Sequence, residues 1–479
     1  MAALIILLVI ALAFALALKS PRTCLLVALF LGAWSGLDVD LGLRLTAYQL
    51  FMAPLCLVMA LRLAYPGQAP RALQLGWPFF VMLLYAVIAS AFQIAQVPQV
   101  EIANSWLRAP AVRATIQIML YLFSVAPVVL VPWLFNKPGD ALKLLRVWLA
   151  STLVLALIGF VQLIIWYGTG TNPLPLGGVS RFLGGSTILR EGIVTVSDMF
   201  VFRMNSFANE PRNLGTAFGL AMIILQGLAL GLPKVPALRY FSLWLVLLVA
   251  LLLTYSTSGI AVWLIGTLAL LPAMWLSRVP IRRATSSIVA AASAITVPLI
   301  IAVLVASNAG IPVLEIITER TVERFTPEAA LEDFDLAIVK WLAADPDKLW
   351  LGGGIGNAHL YATPYLLPQD ALYAEGQIFS AKLLAVRTIS EQGLIGLLLL
   401  VIFLLSRLPA AAWVRNNSQL APVLPLSLAL FAMTMASAQL STELWFMAGT
   451  LVMLAGLNPK ARPALAPPPA KNDSSMSPA

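Results

Sequence analysis

The stretch VWLASTLVLALIGFVQLIIWY, residues 147–167, decides the class of fold. It carries no charged residue. A helix of ~20 apolar residues is long enough to cross the ~30 Å hydrocarbon core of a bilayer. The run is continuous rather than alternating, so it predicts a membrane-spanning helix and not a strand of a membrane barrel.

Similar stretches fill most of the chain, which has 479 residues, of which 60% are hydrophobic and 11% are charged. The mean hydropathy is +0.91, and a soluble protein of this size would need far more polar surface. We therefore predict an all-α polytopic membrane protein with about 13 transmembrane helices (range 11–14). The expected spans are 2–18, 23–37, 43–61, 76–94, 115–135, 147–167, 214–232, 240–255, 258–277, 286–307, 393–413, 420–438 and 441–457.

The distribution of Lys and Arg predicts the orientation of these spans, because basic residues collect in short cytoplasmic loops. Of the 30 basic residues, 17 fall on one side, and the short connections of the other side carry only Arg44, Arg108 and Arg113. This places the N-terminus outside and the C-terminus in the cytoplasm. The net charge of +9 then serves topology and contact with anionic lipid, and it does not indicate nucleic-acid binding.

The same pattern predicts a single transmembrane domain, residues 1–457, with two long outer loops at about 168–213 and 308–392 that carry short amphipathic helices. The first span should be retained as an anchor, because no basic residue precedes it. The tail 458–479 is rich in Pro, Ala and Ser and is expected to be a disordered cytoplasmic end. Cys24 and Cys56 lie in apolar segments and are expected to be small buried side chains.

The first outer loop ends in RMNSFANEPRNLGTAFGL, which runs directly into a span. Arg203, Glu210 and Arg212 should therefore lie near the outer membrane surface. One interpretation is that these arginines pair with Glu210 and lipid phosphates and anchor the span. The other is an anion site, since guanidinium groups bind phosphate in a bidentate way and a helix beginning after Pro211 adds backbone donors.

The second outer loop contains a predicted surface helix. Thr326-Pro327-Glu328 is typical of a helix start, and Asp345-Pro346 should end the helix. The apolar residues fall on one helical face; they are Leu331, Phe334, Ile338, Trp341 and Leu342.

A glycine-rich segment, LWLGGGIGNAHLYATPYLLP, follows this helix and contains the only histidine, His359. It lacks the Lys-Ser/Thr of a P-loop, so it indicates a tight turn beside a ligand rather than a nucleotide site. A single His without a local acidic cluster does not indicate a metal site, and we expect neither metal nor cofactor. His359 itself is interpreted either as a structural residue or as a catalytic one.

Residues of about 200–400 resemble the O-antigen polymerase and ligase family, membrane glycosyltransferases that use polyprenyl-diphosphate-linked oligosaccharides. Four segments carry the resemblance in order, and these are RMNSFANEPRNLG, LTYSTSGIAVWLIG, KWLAADPDKLWLGGGIGN and SEQGLIGLLL. The first 140 residues contribute only generic spans.

This resemblance implies polymerisation or ligation of lipid-linked repeats, in which an acceptor hydroxyl displaces a lipid diphosphate outside the bacterial inner membrane. The product would be a surface or secreted polysaccharide. The expected partners are a polyprenyl-diphosphate-linked oligosaccharide donor, a glycan acceptor, membrane lipid and a chain-length regulator or export partner. Such a transfer needs cations at the diphosphate and a base for the hydroxyl proton.

Candidate residues for both roles come from the two outer loops. The candidates for diphosphate binding are Arg203, Arg212, Lys382 and Arg387. The candidates for the base are Glu210, His359, Glu375 and Glu391.

Two departures separate this chain from ligase-type members. Those members carry an arginine after the serine in the segment matched by YSTSG, where this chain has Thr257. They also have a histidine about a dozen residues before the glycine matched by Gly393, where this chain has Lys382 or its neighbours. The Glu210-Pro211 pair in the first segment favours polymerase-like members.

Two other classes remain open. A transporter or flippase of lipid-linked sugars would explain the many spans, but it normally places ionisable or helix-breaking residues at the membrane midplane. A non-catalytic subunit of a polysaccharide assembly machine would need no convergent Arg and carboxylate set.

Overall fold

A computed structural model describes residues 2–40, 44–64, 76–94, 96, 110–171, 193–196, 199–208, 210–231, 237–277, 333–366, 381, 383–408, 420, 422–436 and 442–457. This part of the chain is mostly helical. Four of its helices are long and apolar enough to cross a membrane, namely Gly76–Ile94, Ala114–Leu134, Gly139–Thr169 and Leu384–Ser406. The predicted class, a helical membrane protein, agrees with this architecture.

The described helices follow the predicted order. They are α1 (Ala2–Lys19), α2 (Pro21–Leu31), α3 (Ala47–Leu63), α4 (Gly76–Ile94), α5 (Pro110–Val125), α6 (Pro127–Leu134), α7 (Pro138–Thr169), α8 (Pro211–Gly231), α9 (Ala237–Leu253), α10 (Thr257–Ser277), α11 (Asp333–Ala344), α12 (Pro346–Leu351), α13 (Ala358–Ala362), α14 (Leu384–Ser406), α15 (Val423–Ala436) and α16 (Thr442–Gly456). Every predicted span except 286–307 overlaps one of these helices, and 286–307 lies outside the described residues. Several of the overlapping helices, α2 and α15 among them, are apolar but shorter than 18 residues.

Two short antiparallel hairpins depart from the predicted all-α fold. β1 (Asp38–Asp40) pairs with β2 (Arg44–Thr46), and β3 (Ile193–Val196) pairs with β4 (Met199–Phe202). Short amphipathic helices were predicted for both long loops, but the strands β3 and β4 lie within the first. Both strand segments, IVTV and MFVF, are rich in β-branched and aromatic residues, and this composition explains the difference.

Local sequence accounts for where the longest helix begins. The predicted span 147–167 lies within α7, which starts earlier, at Pro138. Proline is favoured at the first helical position because its missing N–H needs no partner there. The Asp140 carboxylate accepts hydrogen bonds from the backbone N–H groups of Lys137 (3.0 Å) and Asn136 (3.2 Å).

Helix α8 lies at the centre of the core, where it packs against α9, α10 and α15. Its contact with α10 is made by glycines. A Cβ atom on Gly259 would lie 2.4 Å from the backbone of Gly215, and one on Gly219 would lie 2.6 Å from the carbonyl oxygen of Gly259. Such small residues let two membrane helices approach closely. This contact brings the start of α8 against the turn between α9 and α10.

The second long loop folds over the ends of α4 and α14. The described part of its predicted surface helix is α11, and the expected apolar face is confirmed, since Ile338, Trp341 and Leu342 are buried. The predicted start at Thr326 lies outside the described residues. Asp345 ends α11 as expected and caps α12, because its side chain accepts a hydrogen bond from the Lys348 N–H (3.2 Å).

Candidate functional site

Arg203 directly follows strand β4 and binds the end of α9. Its Nε atom donates to the carbonyl oxygen of Thr254 (3.1 Å), and its Nη2 atom donates to that of Tyr255 (3.2 Å). The last carbonyl groups of a helix have no partner within the helix and carry partial negative charge, so a cation is favourable there. Arg203 therefore stabilises the turn between α9 and α10 in addition to any role with a ligand.

The backbone around Arg203 is strained at two positions. Ser206 has a φ of 49° and Tyr255 a φ of 46°, and both values lie in the left-handed region that residues other than glycine seldom adopt. The two segments are joined by a hydrogen bond from the Met204 N–H to the Leu253 carbonyl oxygen (3.0 Å). Strain of this kind costs about 1–3 kcal/mol per residue and is found mainly at functional sites.

Buried polar contacts fix the same segment to α7. The Gln162 side chain donates to Asn205 Oδ1 (2.6 Å) and accepts from the Ser206 N–H (2.9 Å). All three residues are buried. Because buried backbone groups need hydrogen-bond partners, these bonds explain how a non-helical segment can lie among helices.

Glu210 and Arg212 form an ion pair at the start of α8. Arg212 Nη2 lies 3.3 Å from Glu210 Oε2, and the side chains are 15% and 24% exposed, respectively. The structure thus brings together the three charged residues predicted for this segment, but it pairs Arg212 with Glu210 and Arg203 with backbone carbonyls. The positive charge of Arg212 is partly neutralised by this carboxylate.

A second polar region lies where α14 is broken. Gly393 has φ 71° and ψ −179°, which interrupts the helix. The carbonyl groups released by the break are satisfied from outside the helix. Gly353 N–H donates to the Ser390 oxygen (2.8 Å) and Gly354 N–H to the Glu391 oxygen (3.0 Å).

We call residues 352–357 the glycine turn. Gly352, Gly354 and Gly356 all have positive φ, and a Cβ atom on Gly352 would lie 2.5 Å from the backbone of Glu391. These positions need glycine both for the backbone conformation and for the close approach. The sequence prediction of a tight turn is confirmed, and its neighbour is the broken helix α14.

Arg387 and Glu391 form an ion pair just before the break. Arg387 Nε lies 3.1 Å from Glu391 Oε1, with exposures of 19% and 1%. No described residue forms a hydrogen bond with Glu391 Oε2, which is buried. One oxygen of this carboxylate is thus fixed by a cation, while the other has no partner within the described part of the chain.

Polar side chains from α4 and α5 contact the glycine turn and the break in α14. Ser90 Oγ accepts from the Ile355 N–H (3.1 Å), and the Tyr85 hydroxyl donates to the Gln392 carbonyl oxygen (3.1 Å). The Tyr121 hydroxyl interacts with the Gln392 side chain and with the charge of Glu391. Such polar groups are expensive in a membrane protein, and they mark functional sites more often than structural ones.

Lys348 fastens α12 to the end of α4. Its Nζ donates to the side-chain oxygens of Gln93 and Gln96 and lies 5.1 Å from the centre of the Tyr361 ring. Burial lowers the pKa of the Lys348 amine from 10.5, while Asp345 and Asp347 act in the opposite direction. Burial also raises the pKa of Tyr361.

The remaining predicted site residues give less information. His359 lies in α13 and is buried, with 3% exposure. Glu375 and Lys382 lie outside the described residues. Among the residues that the structure describes, no group of three His, Cys, Asp or Glu side chains could hold a metal ion.

Sequence reasoning missed the amides of this region, which are Gln93, Asn357 and Gln117, whose side chain lies against Gly356. Gln93 and Gln117 lie within apolar helices, and a polar residue inside such a stretch was the available signal. Asn357 gives no comparable signal, because its burial depends on how the glycine turn folds.

No protein-family model matches the chain, and no curated protein matches it either. The inference of function therefore rests on the residues and on the geometry of the two polar regions.

Proposed function

We propose that this protein is a membrane glycosyltransferase that polymerises or ligates polyprenyl-diphosphate-linked oligosaccharide repeats on the outer face of a bacterial inner membrane. The observation that carries the proposal is Glu391. It is 1% exposed, one carboxylate oxygen is held by Arg387, and no described residue bonds the other. A base for a hydroxyl proton needs this arrangement, in which the carboxylate is oriented and one oxygen can accept the proton.

In the proposed reaction, an acceptor hydroxyl attacks the anomeric carbon of the lipid-linked sugar. The new bond joins the acceptor oxygen to that carbon, and the bond from the carbon to the diphosphate oxygen breaks. Glu391 takes the hydroxyl proton, and the bonding electrons leave with the diphosphate. Arg203 and Arg212 are the cations assigned to the departing diphosphate, because arginine binds phosphate oxygens in a bidentate way.

Two features favour Glu391 over the other predicted bases. Glu210 is bound to Arg212 two residues away and is 24% exposed, so its carboxylate lies in a more solvated setting. Glu391 is also next to a broken helix, where close backbone approach to a ligand is permitted. His359 and Glu375 remain the alternatives.

The test is the replacement Glu391→Gln, assayed with purified protein and lipid-linked repeats extracted from the producing organism. Removal of a positioned base lowers turnover by about 10²–10⁴-fold, and we expect that loss with little change in melting temperature. Glu210→Gln and His359→Ala should each keep at least about a tenth of wild-type turnover. Wild-type turnover by the Glu391→Gln protein would move the role to one of those two residues or to Glu375.

The diphosphate site is tested in the same assay with Arg212→Lys, which keeps the positive charge but removes the guanidinium group that binds phosphate in a bidentate way. We expect at least about a tenfold loss of turnover. Arg203→Lys is a weaker test, because it also removes hydrogen bonds at the end of α9, so its melting temperature must be measured alongside. Unchanged product length and yield in both variants would exclude this diphosphate site.

A flippase of lipid-linked sugars is the second candidate, and the break in α14 is the observation that favours it. Discontinuous helices form the substrate sites of many transporters. Purified protein in liposomes separates the two functions. A transferase releases polyprenyl diphosphate from the lipid-linked repeat, whereas a flippase moves the repeat across the bilayer unchanged.

A further inference from the structure

The glycine turn and the neighbouring break in α14 each contain one buried hydrogen-bond acceptor that no described residue satisfies. They are Asn357 Oδ1 and Glu391 Oε2, and both residues are 1% exposed. Buried polar atoms in folded proteins are nearly always bonded, so each such exception requires an explanation.

Gly354 joins the backbones of the two residues that carry these acceptors. Its N–H donates to the Glu391 carbonyl oxygen (3.0 Å), and its own carbonyl oxygen accepts from the Asn357 N–H (3.2 Å). The left-handed conformation of Gly354 (φ 89°) fixes this link. Asn357 Nδ2 is turned towards the Gly353 carbonyl oxygen (3.4 Å), so the amide oxygen is the atom left over.

The chemistry of these atoms disfavours an anion as their partner. Glu391 is matched by Arg387, and neither acceptor oxygen carries a proton that it could donate to an anion. Two such acceptors favour a ligand that supplies hydrogen-bond donors. Hydroxyl groups of a sugar supply them, and a fully ionised phosphate does not.

We propose that Asn357 binds the acceptor sugar, accepting a hydrogen bond at Oδ1 from a hydroxyl next to the one that Glu391 deprotonates. This inference rests on the proposed function and assigns a separate role to each of the two polar regions. The glycine turn and α14 hold the sugar, while the arginines around α8 hold the diphosphate. Asn357 is then a residue that determines sugar binding, and it takes no proton.

The test compares Asn357→Leu with Gln96→Leu. Leucine has the branched shape of asparagine but larger methyl groups, and it removes the unsatisfied oxygen together with the hydrogen bond from Nδ2 to the Gly353 carbonyl oxygen (3.4 Å). The melting temperature of both variants is therefore measured together with their affinities. Gln96 is an exposed amide whose side chain, among the described residues, forms a hydrogen bond with Lys348. Its replacement controls for the loss of an amide near α4.

Two probes are used with each purified protein, the free oligosaccharide released from extracted lipid-linked repeats and undecaprenyl diphosphate without sugar. Loss of one hydrogen bond to a buried group predicts at least about a tenfold weaker affinity of Asn357→Leu for the oligosaccharide. Its affinity for undecaprenyl diphosphate and both affinities of Gln96→Leu should stay within about twofold of wild type.

If the wild-type protein is active and Asn357→Leu keeps its affinity for the oligosaccharide, this inference alone is overturned. An equal loss for both probes also overturns it, because that result indicates general damage. If the wild type neither binds oligosaccharide nor consumes lipid-linked repeats, the proposed function fails first and this inference fails with it.

Discussion

At the scale of single residues, Gly393 shows how much one backbone conformation determines. Its φ of 71° interrupts α14, and a Cβ atom there would lie 2.0 Å from the carbonyl oxygen of Trp350. The left-handed conformation costs a non-glycine residue about 1–2 kcal/mol, and a backbone oxygen cannot move aside as a flexible side chain can. Gly393→Ala should therefore lower the free energy of unfolding by about 3 kcal/mol or more.

Gly170 provides a control in which the Cβ position is open. Its φ of 70° is nearly the same, but its ψ of 5° lies in the left-handed helical region, whereas Gly393 has a ψ of −179°. Within the described part of the chain, no atom lies within 4 Å of the Gly170 Cβ position. Gly170→Ala should show the cost of the left-handed helical conformation alone, about 1–2 kcal/mol. Denaturant unfolding of both purified variants in detergent measures the difference. Equal losses of stability would show that α14 closes the break without cost.

Arg203 illustrates that the type of a residue predicts its chemistry, whereas the partner that it binds is much harder to predict. The sequence identified an arginine near a helix start, and the interpretation as an anion site followed from the guanidinium group. The structure directs that group to the carbonyl oxygens of Thr254 and Tyr255. Those atoms are 51 and 52 residues away along the chain, and no local pattern encodes such a contact.

At the scale of elements, Lys348 joins α12 to the end of α4. Burial lowers the pKa of Lys348 from 10.5, because desolvation penalises the charged form. The unfolded chain therefore binds this proton more tightly than the folded protein. The contribution of Lys348 to the free energy of unfolding rises as the pH increases from the lowered pKa towards 10.5.

Competitive labelling of amines over a pH series, read by mass spectrometry, measures this pKa directly. We expect the midpoint for Lys348 in folded protein to lie below 10.5, and to return to about 10.5 after denaturation. A folded midpoint at or above 10.5 would show that Asp345 and Asp347 outweigh burial.

The elements also show which features of the fold are readable from sequence. Apolar stretches predict helices well, because length and composition suffice. The amphipathic face of α11 was also readable, since its period places Ile338, Trp341 and Leu342 together. The glycine turn was predicted as a turn, but its contact with the break at Gly393 joins segments about 40 residues apart and depends on tertiary packing.

At the scale of the whole molecule, the residue types of the candidate site could be predicted from sequence, but most of their contacts could not. Charged residues stand out in so apolar a chain, so Arg203, Glu210, Arg212, Arg387 and Glu391 were found from sequence. The ion pairs among them were not specified, except that Arg387 and Glu391 have the i, i+4 spacing of helical neighbours. Asn357 was missed because its burial arises only when the second long loop folds over α4 and α14.

The orientation of the molecule remains a prediction, and α7 offers the sharpest test of it. Gly139 and Gly168 lie near opposite ends of this helix, and no atom of the described residues lies within 4 Å of either Cβ position. A cysteine should therefore be accepted at either position without strain. The 17 basic residues on one side place Gly139 in the cytoplasm and Gly168 outside.

Single cysteines are introduced into a protein in which Cys24 and Cys56 are replaced by alanine. In intact spheroplasts, a membrane-impermeant maleimide should label Gly168→Cys but not Gly139→Cys, and detergent should expose both. Ala343→Cys, on the exposed face of α11, should be labelled in intact spheroplasts, as Gly168→Cys is. Ser475→Cys should be protected until detergent is added, as Gly139→Cys is. If Ala343→Cys is protected in spheroplasts while Gly168→Cys is labelled, the two long loops face opposite sides. The arginines of the first loop and the glycine turn of the second would then be unable to form one outer site.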